Sequence, residues 1–268
     1  MALPPPCADS TALVTGASSG IGVEIARALA ARGHGVTLAA RRDQPLRRLA
    51  AELTTEHSIR AEAIAADLAE ASDRDRLAAA IEALGLSVEI LVNNAGVGSY
   101  GSFSSLSREA ELAMVRLNVE AVTDLQARYL PAMVERGRGA VINISSTSAF
   151  QPMPGMATYA ASKAFVLNQG EALHQELKGS GVTVTTVCPG PIQTDFAETS
   201  GTDSVGDDLP EMFWMSPEEL AEDAIEAAEQ GKRGIVPGGF NRAGSLLGRW
   251  TPRTAVLPLV DRFFRRDA

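Results

Sequence analysis

The chain has 268 residues, 45% hydrophobic and 21% charged, which is ample for a packed core and argues against disorder. Its 33 acidic and 24 basic residues leave a formal charge of -9, so charge offers no reason to expect a nucleic-acid partner. No run of about 18 apolar residues occurs, and no basic stretch precedes an apolar one at the start, so neither a spanning helix nor a secretory signal is expected.

Taken in order, short β-rich apolar runs alternate with longer helical patterns. Strands are predicted at Thr11–Thr15, Val36–Ala40, Ala61–Ala65, Glu89–Val92, Val141–Ile144 and Val182–Val187, with a last short one at Ile235–Val236. Helices are predicted at Gly20–Ala31, Gln44–Glu56, Asp73–Leu84, Arg108–Glu135, Gly155–Lys178 and Pro217–Gln230. The alternation implies a single α/β domain over residues 1–268, a Rossmann-type doubly wound parallel sheet with helices on both faces. Ligands on such a sheet sit beyond the carboxyl ends of the strands.

Three features fall at those ends. Thr15–Gly22, TGASSGIG, follows the first strand and opens the first helix, where glycines let backbone N–H groups approach a phosphate. Gly16, Gly20 and Gly22 are spaced GxxxGxG rather than GxGxxG, and no Gly-Lys-Ser/Thr follows as in a P-loop. The strand before and helix after favour a nucleotide site over an empty turn. After the second strand, Ala40 stands where an NAD site carries an acid for the ribose 2′-hydroxyl, and Arg41 and Arg42 come next. Guanidinium groups suit a 2′-phosphate by charge and fork geometry, so NADP(H) is the preferred cofactor, with Asp43 keeping NAD(H) open. Asp67 and Leu68 follow the third strand, placed to edge an adenine. Asn93–Gly96, NNAG, follows the fourth and can border a cofactor.

The stretch Ser145–Ala164 holds a hydroxyl at Ser146, a phenol at Tyr159 and an amine at Lys163. Tyr159 and Lys163, four apart, share one face of a helix. An ammonium beside the phenol is expected to lower its pKa and make the pair a workable acid/base. Read alone, the run is better taken as a small-residue helix with a Tyr and a Lys on its surface. Cys7 and Cys188 are far apart without metal-ligand spacing, so one buried and one mobile thiol are expected, in keeping with a reducing cytoplasm. His34, His57 and His174 are scattered, and no metal site is expected.

TGASSGIG, NNAG, Asn118, Ser146 and YAASK, taken together, resemble the short-chain dehydrogenase/reductase family, and PGPIQTDF at Pro189–Phe196 is similar to its motif beside the nicotinamide. The likeness covers roughly residues 10–196 in order. It implies an oxidoreductase acting on a carbonyl or alcohol, in which Tyr159 would transfer the proton and Ser146 would hold the substrate oxygen. Lys163 would lower the Tyr159 pKa and bond the nicotinamide ribose, and Asn118 would hold a water for proton relay. Gly16, Ser18, Ser19, Gly20, Ile21, Arg41, Arg42, Asp67, Leu68, Asn94, Ala95, Gly96, Tyr159, Lys163, Pro189, Gly190, Ile192 and Thr194 would line the cofactor. Ser145 adjoins Ser146, and only the thirteen-residue spacing to Tyr159 favours Ser146.

Ala197–Met215 has the length of a substrate lid, apolar at Met212, Phe213, Trp214 and Met215; loop packing explains it equally. With Phe150, Met153 and Met156 it suggests a small lipophilic carbonyl or alcohol substrate. The extension at 241–268 mixes apolar residues with arginines, and could pack on the body, on a partner subunit or on a membrane surface. With the preceding VPG it resembles, more softly, a bacterial subgroup that includes actinobacterial ketoacyl reductases. The expectation is therefore an NADPH-dependent ketoacyl-type reductase, cytoplasmic, with peripheral membrane contact through the tail as an option, assembled as a homo-oligomer, dimer or tetramer. The alternatives are an alcohol or hydroxysteroid-type dehydrogenase running oxidatively, and a non-catalytic NADP-binding regulator.

Overall fold

A computed structural model describes residues 3–192 and 210–264. Strands β1 (Ser10–Thr15), β2 (Val36–Ala40), β3 (Ala61–Ala65), β4 (Ser87–Asn93), β5 (Gly139–Ile144), β6 (Val182–Val187) and β7 (Gly234–Ile235) form one sheet ordered β3-β2-β1-β4-β5-β6-β7. Every pairing is parallel. Between them run α1 (Ile21–Ala31), α2 (Asp43–His57), α3 (Ala71–Ala83), α4 (Arg108–Val115), α5 (Ala121–Arg136), α6 (Ala157–Glu176) and α7 (Pro217–Glu229). Two helices close the described chain, α8 (Gly239–Trp250) and α9 (Arg253–Phe264).

The central strands read as continuous apolar runs because both faces are covered. Alternate residues of one strand enter different cores. Val14, Val92 and Ile142 pack with Ile25 and Leu29 of α1, Leu46 and Leu53 of α2, and Leu220 and Ile225 of α7. Their neighbours Leu13, Leu91 and Val141 pack with Leu77 and Ile81 of α3 and Leu125 and Met133 of α5. The strand order reverses between β1 and β4, and this opens a crevice at their carboxyl ends.

The predicted helix Arg108–Glu135 is broken in the structure. A π-turn, Arg116–Glu120, separates α4 from α5, and the last helical turn ends at Gly137 in the left-handed conformation. Helix α7 begins on a full capping box, Ser216 with Glu219, and has Pro217 in its first turn. Cys7 is exposed and Cys188 buried, both free. Among the described residues no helix is long and apolar enough to cross a membrane.

Candidate active site

At the floor of the crevice, Thr15 ties β1 to β4. Its hydroxyl donates to Val92 O at 2.9 Å and accepts from the amides of Asn94 and Ala95, both at 3.0 Å. Asn94 answers with its side-chain amide, donating to Thr15 O at 2.9 Å. Gly16 takes a φ of +68°, and a side chain there would stand 2.8 Å from the Asn94 amide nitrogen. A side chain at Gly22 would stand 2.6 Å from the same atom. Gly16 leaves the backbone bare where it meets the crevice, and Gly22 lets α1 pack closely on the Gly16 carbonyl. Gly20 caps α1 with no side-chain hydrogen bond, and Val23 N already donates to Gly20 O, so the Ile21 and Gly22 amides are the ones at the helix start suited to an anion.

Around this floor runs a single cavity of about 760 Å³. Gly16, Ser18, Ser19, Gly20, Ile21, Arg41, Arg42, Asp67, Leu68, Asn94, Ala95 and Gly96 line one half of it. Arg42 reaches back across the glycine loop, its Nη2 donating to Ser18 O and Oγ, each at 3.2 Å. Asp43 points elsewhere, paired with Arg47 at 2.6 Å, and does not line the cavity. Pro189, Gly190 and Ile192 line the far wall. Thr194 and the 197–209 part of the expected lid lie outside the described residues.

Ser146, Tyr159 and Lys163 all line the same cavity. Tyr159 and Lys163 stand on the buried face of α6, the ammonium 5.8 Å from the centre of the phenol ring. Lys163 Nζ donates to Ile144 O at 3.0 Å. Ser146 opens a short 3₁₀ turn, Thr147–Phe150; its hydroxyl accepts from Ser148 N at 3.1 Å and bonds the Tyr159 side chain. The neighbouring Ser145 hydroxyl is used differently, donating to Lys163 O at 2.8 Å and so fastening α6 to β5.

Burial sets the protonation states here. It pushes the Tyr159 phenol up to about 12, opposed by the Ser146 hydrogen bond, and pulls Lys163 down to about 8. The expected lowering of the Tyr159 pKa by Lys163 is therefore not what the structure has. The ammonium donates to a backbone carbonyl, and at the phenol only the Ser146 hydrogen bond opposes burial.

Asn118 occupies the π-turn and is 1% exposed. Its Oδ1 accepts from Val97 N at 3.0 Å, and its Nδ2 donates to Val97 O at 2.9 Å and Ser162 Oγ at 3.1 Å. A side chain at Gly96 would lie 3.3 Å from both Asn118 Oδ1 and Lys163 Nζ, so glycine lets these two groups share that space.

Phe150, Met153, Met156, Phe213 and Trp214 supply an apolar lining. Helix α8, the start of the extension at 241–268 whose packing on the body was one of three expectations, adds Asn241, Gly244 and Ser245. The available signal was their spacing: positions i, i+3 and i+4 form one small, polar helix face inside an apolar and basic run.

The short chain dehydrogenase family model matches residues 10–204. A very-long-chain 3-oxoacyl-CoA reductase of Anas platyrhynchos is 36% identical over 70% of this chain and 62% of its own length, so the chain spans less than two thirds of that relative. Among solved structures, a short-chain dehydrogenase from Sphingobium yanoikuyae in complex with NADPH is 36% identical, with a TM-score of 0.79 over 93% of this chain and 95% of that one. An actinorhodin polyketide ketoreductase variant with NADPH is 33% identical, with a TM-score of 0.77 over 87% of this chain and 98% of that one. With the motifs, the sheet order and these matches in agreement, the chain belongs to the short-chain dehydrogenase family of oxidoreductases.

Proposed function

We propose that the protein reduces a ketone in a lipophilic molecule with NADPH, 3-oxoacyl chains being the leading substrate class. One observation carries this reading: the Ser146, Tyr159 and Lys163 side chains open into the same cavity as the bare glycine loop and the arginine pair. The residues fit a phosphorylated dinucleotide. Backbone amides from Ser18 to Ile21 would take the pyrophosphate, Arg41 and Arg42 the 2′-phosphate, Asp67 and Leu68 the adenine side, and Lys163 the nicotinamide ribose. The bound dinucleotide would supply the hydride.

In this reading Tyr159 donates its proton to the carbonyl oxygen while the Ser146 hydroxyl holds that oxygen beside it. Lys163, kept in place by Ile144 O, holds the nicotinamide ribose and so sets the cofactor beside the phenol. Asn118 braces the loop after NNAG and is suited to anchor a water that returns the proton. The apolar lining favours a lipophilic substrate, and the names of the duck and actinorhodin relatives agree with a ketoacyl chain.

The test is turnover. Purified protein given a panel of ketones and 3-oxoacyl thioesters should consume NADPH, and Tyr159→Phe should cut kcat by about 10³-fold with NADPH affinity nearly intact. Binding of NADPH with no carbonyl reduced across the panel would favour a non-catalytic regulator instead. Self-association is proposed through α4 and α6, where Leu112, Val115 and Phe165 are each 40% exposed; light scattering of the purified protein decides it.

A further inference from the structure

Helix α8 follows the last strand and would pass for an accessory extension, yet its third residue is among the more deeply set polar groups of the site. Asn241 is 6% exposed. Its Nδ2 donates to Phe213 O at 3.0 Å, just before the cavity-lining Trp214. The same amide lies flat on Gly190: a side chain at that position would occupy the space held by Asn241 Cγ, Oδ1 and Nδ2. Gly238, with a φ of +78°, turns the chain into α8 and leaves room for the amide, 3.1 Å from where its own side chain would begin.

Asn241 thus touches two segments that meet again next door. Met215 N donates to Pro191 O at 3.3 Å, and Ile192 bridges Met215. The Pro189–Ile192 loop in turn accepts a hydrogen bond from Thr147 N to Pro189 O at 2.8 Å, one residue beyond Ser146. A continuous set of contacts therefore runs from α8 through Gly190 to the backbone that presents the Ser146 hydroxyl. On the far side, Ser245 Oγ donates to Asn241 O at 2.8 Å, and Gly244 and Ser245 extend the α8 face along the cavity.

We propose that Asn241 is a positioning residue that wedges the Pro189–Ile192 loop against the Phe213–Trp214 wall, making α8 a structural part of the active site. The proposal rests on the reductase reading above, because its two contacts divide between the expected dinucleotide loop and the expected substrate wall. Glycine at position 190 leaves the loop bare where it seats the amide.

The division gives separable readouts, NADPH dissociation constants by fluorescence titration and KM for the ketone that the wild type reduces best. Asn241→Ala removes both contacts and should raise the NADPH Kd and the ketone KM about tenfold each, with kcat within about threefold. Asn241→Asp keeps the shape over Gly190 but loses the donor to Phe213 O, so it should raise the ketone KM about fivefold and leave the NADPH Kd unchanged. Gly190→Ala alone should weaken NADPH by about tenfold or more, yet add less than about twofold in the Asn241→Ala background, where the colliding atoms are gone. Thermal melts confirm that each variant is folded, and Asn241→Asp carries the test if Asn241→Ala is not. Wild-type-like constants in the folded Asn241 variants, or fully additive losses in the double variant, would overturn the proposal. Failure of the wild type to bind NADPH would overturn the reductase reading instead.

Discussion

Lys163 and Tyr159 meet the same physical problem, two ionisable groups taken out of water with little opposite charge to compensate. For Lys163 the drop from its ordinary value to about 8 corresponds to about 3 kcal/mol carried by the folded state whenever the amine is charged. The sign follows from which state holds the proton. Below about pH 8 both folded and unfolded chains are protonated and the full cost stands; between there and the unfolded pKa near 10.5 the unfolded chain binds more protons, so the fold gains stability as pH rises. Lys163→Met is accordingly expected to abolish turnover yet melt at a higher temperature than the wild type at pH 7, the difference shrinking toward about pH 10; paired thermal melts across pH check it. In the proposed reaction the same titration limits the rate. Reduction should be level from about pH 6 to 7 and decline through about pH 8, as the ammonium is lost before the phenol ionises. The arginine pair gives a second residue-scale test: Arg41→Ala should weaken NADPH much more than NADH in parallel titrations, and equal losses would remove the argument for a 2′-phosphate contact.

Elements, rather than single side chains, bring the two halves of the cavity together. The π-turn at Arg116–Glu120 interrupts what would otherwise be one long helix and delivers Asn118 to the backbone of Val97. Helix α6 can lie close on β6 because Gly170 sits directly over Thr186, whose buried hydroxyl has no hydrogen-bond partner among the described residues. Asn93, Gln126 and Asn143 complete a buried amide cluster beneath α5 and α6, with Asn93 Nδ2 and Gln126 Nε2 both donating to Asn143 Oδ1 at 2.9 Å. Gly170→Ala should therefore cost about 1–3 kcal/mol through overpacking. Adding Thr186→Ala removes the obstructing hydroxyl and should recover much of that loss, measured by chemical denaturation of the two single variants and the double. Additive losses would show that the close approach of α6 to β6 does not depend on this pair.

For the molecule as a whole, the cavity spans the carboxyl ends of β1, β2, β4, β5 and β6 and reaches α8. A ligand there binds the folded chain across several elements and not the unfolded one. At 100 times its Kd, NADPH should stabilise the fold by about 2.7 kcal/mol. For a chain of this size that should raise Tm by about 5–10 °C, readable by differential scanning calorimetry. A smaller shift with NADH at the same concentration would agree with the arginine assignment.

The sequence by itself determined the α/β class, the order of strands and helices, and the motifs at the strand ends, because these rest on local signals: apolar periodicity, glycine spacing and residues a helical turn apart. Ser146, Tyr159 and Lys163 could be named once those ordered motifs had carried the resemblance to a known family, since their spacing alone left the stretch undecided. Only the tertiary structure decided how these residues behave. The Tyr159 pKa rises because burial is a property of the packed whole, and no neighbour in the sequence reveals it. The π-turn at Asn118 depends on backbone partners across the crevice. Asn241 was illegible for the most physical of reasons: its meaning lies in Gly190 and Phe213, which only the folded sheet brings within reach of the C-terminal helix.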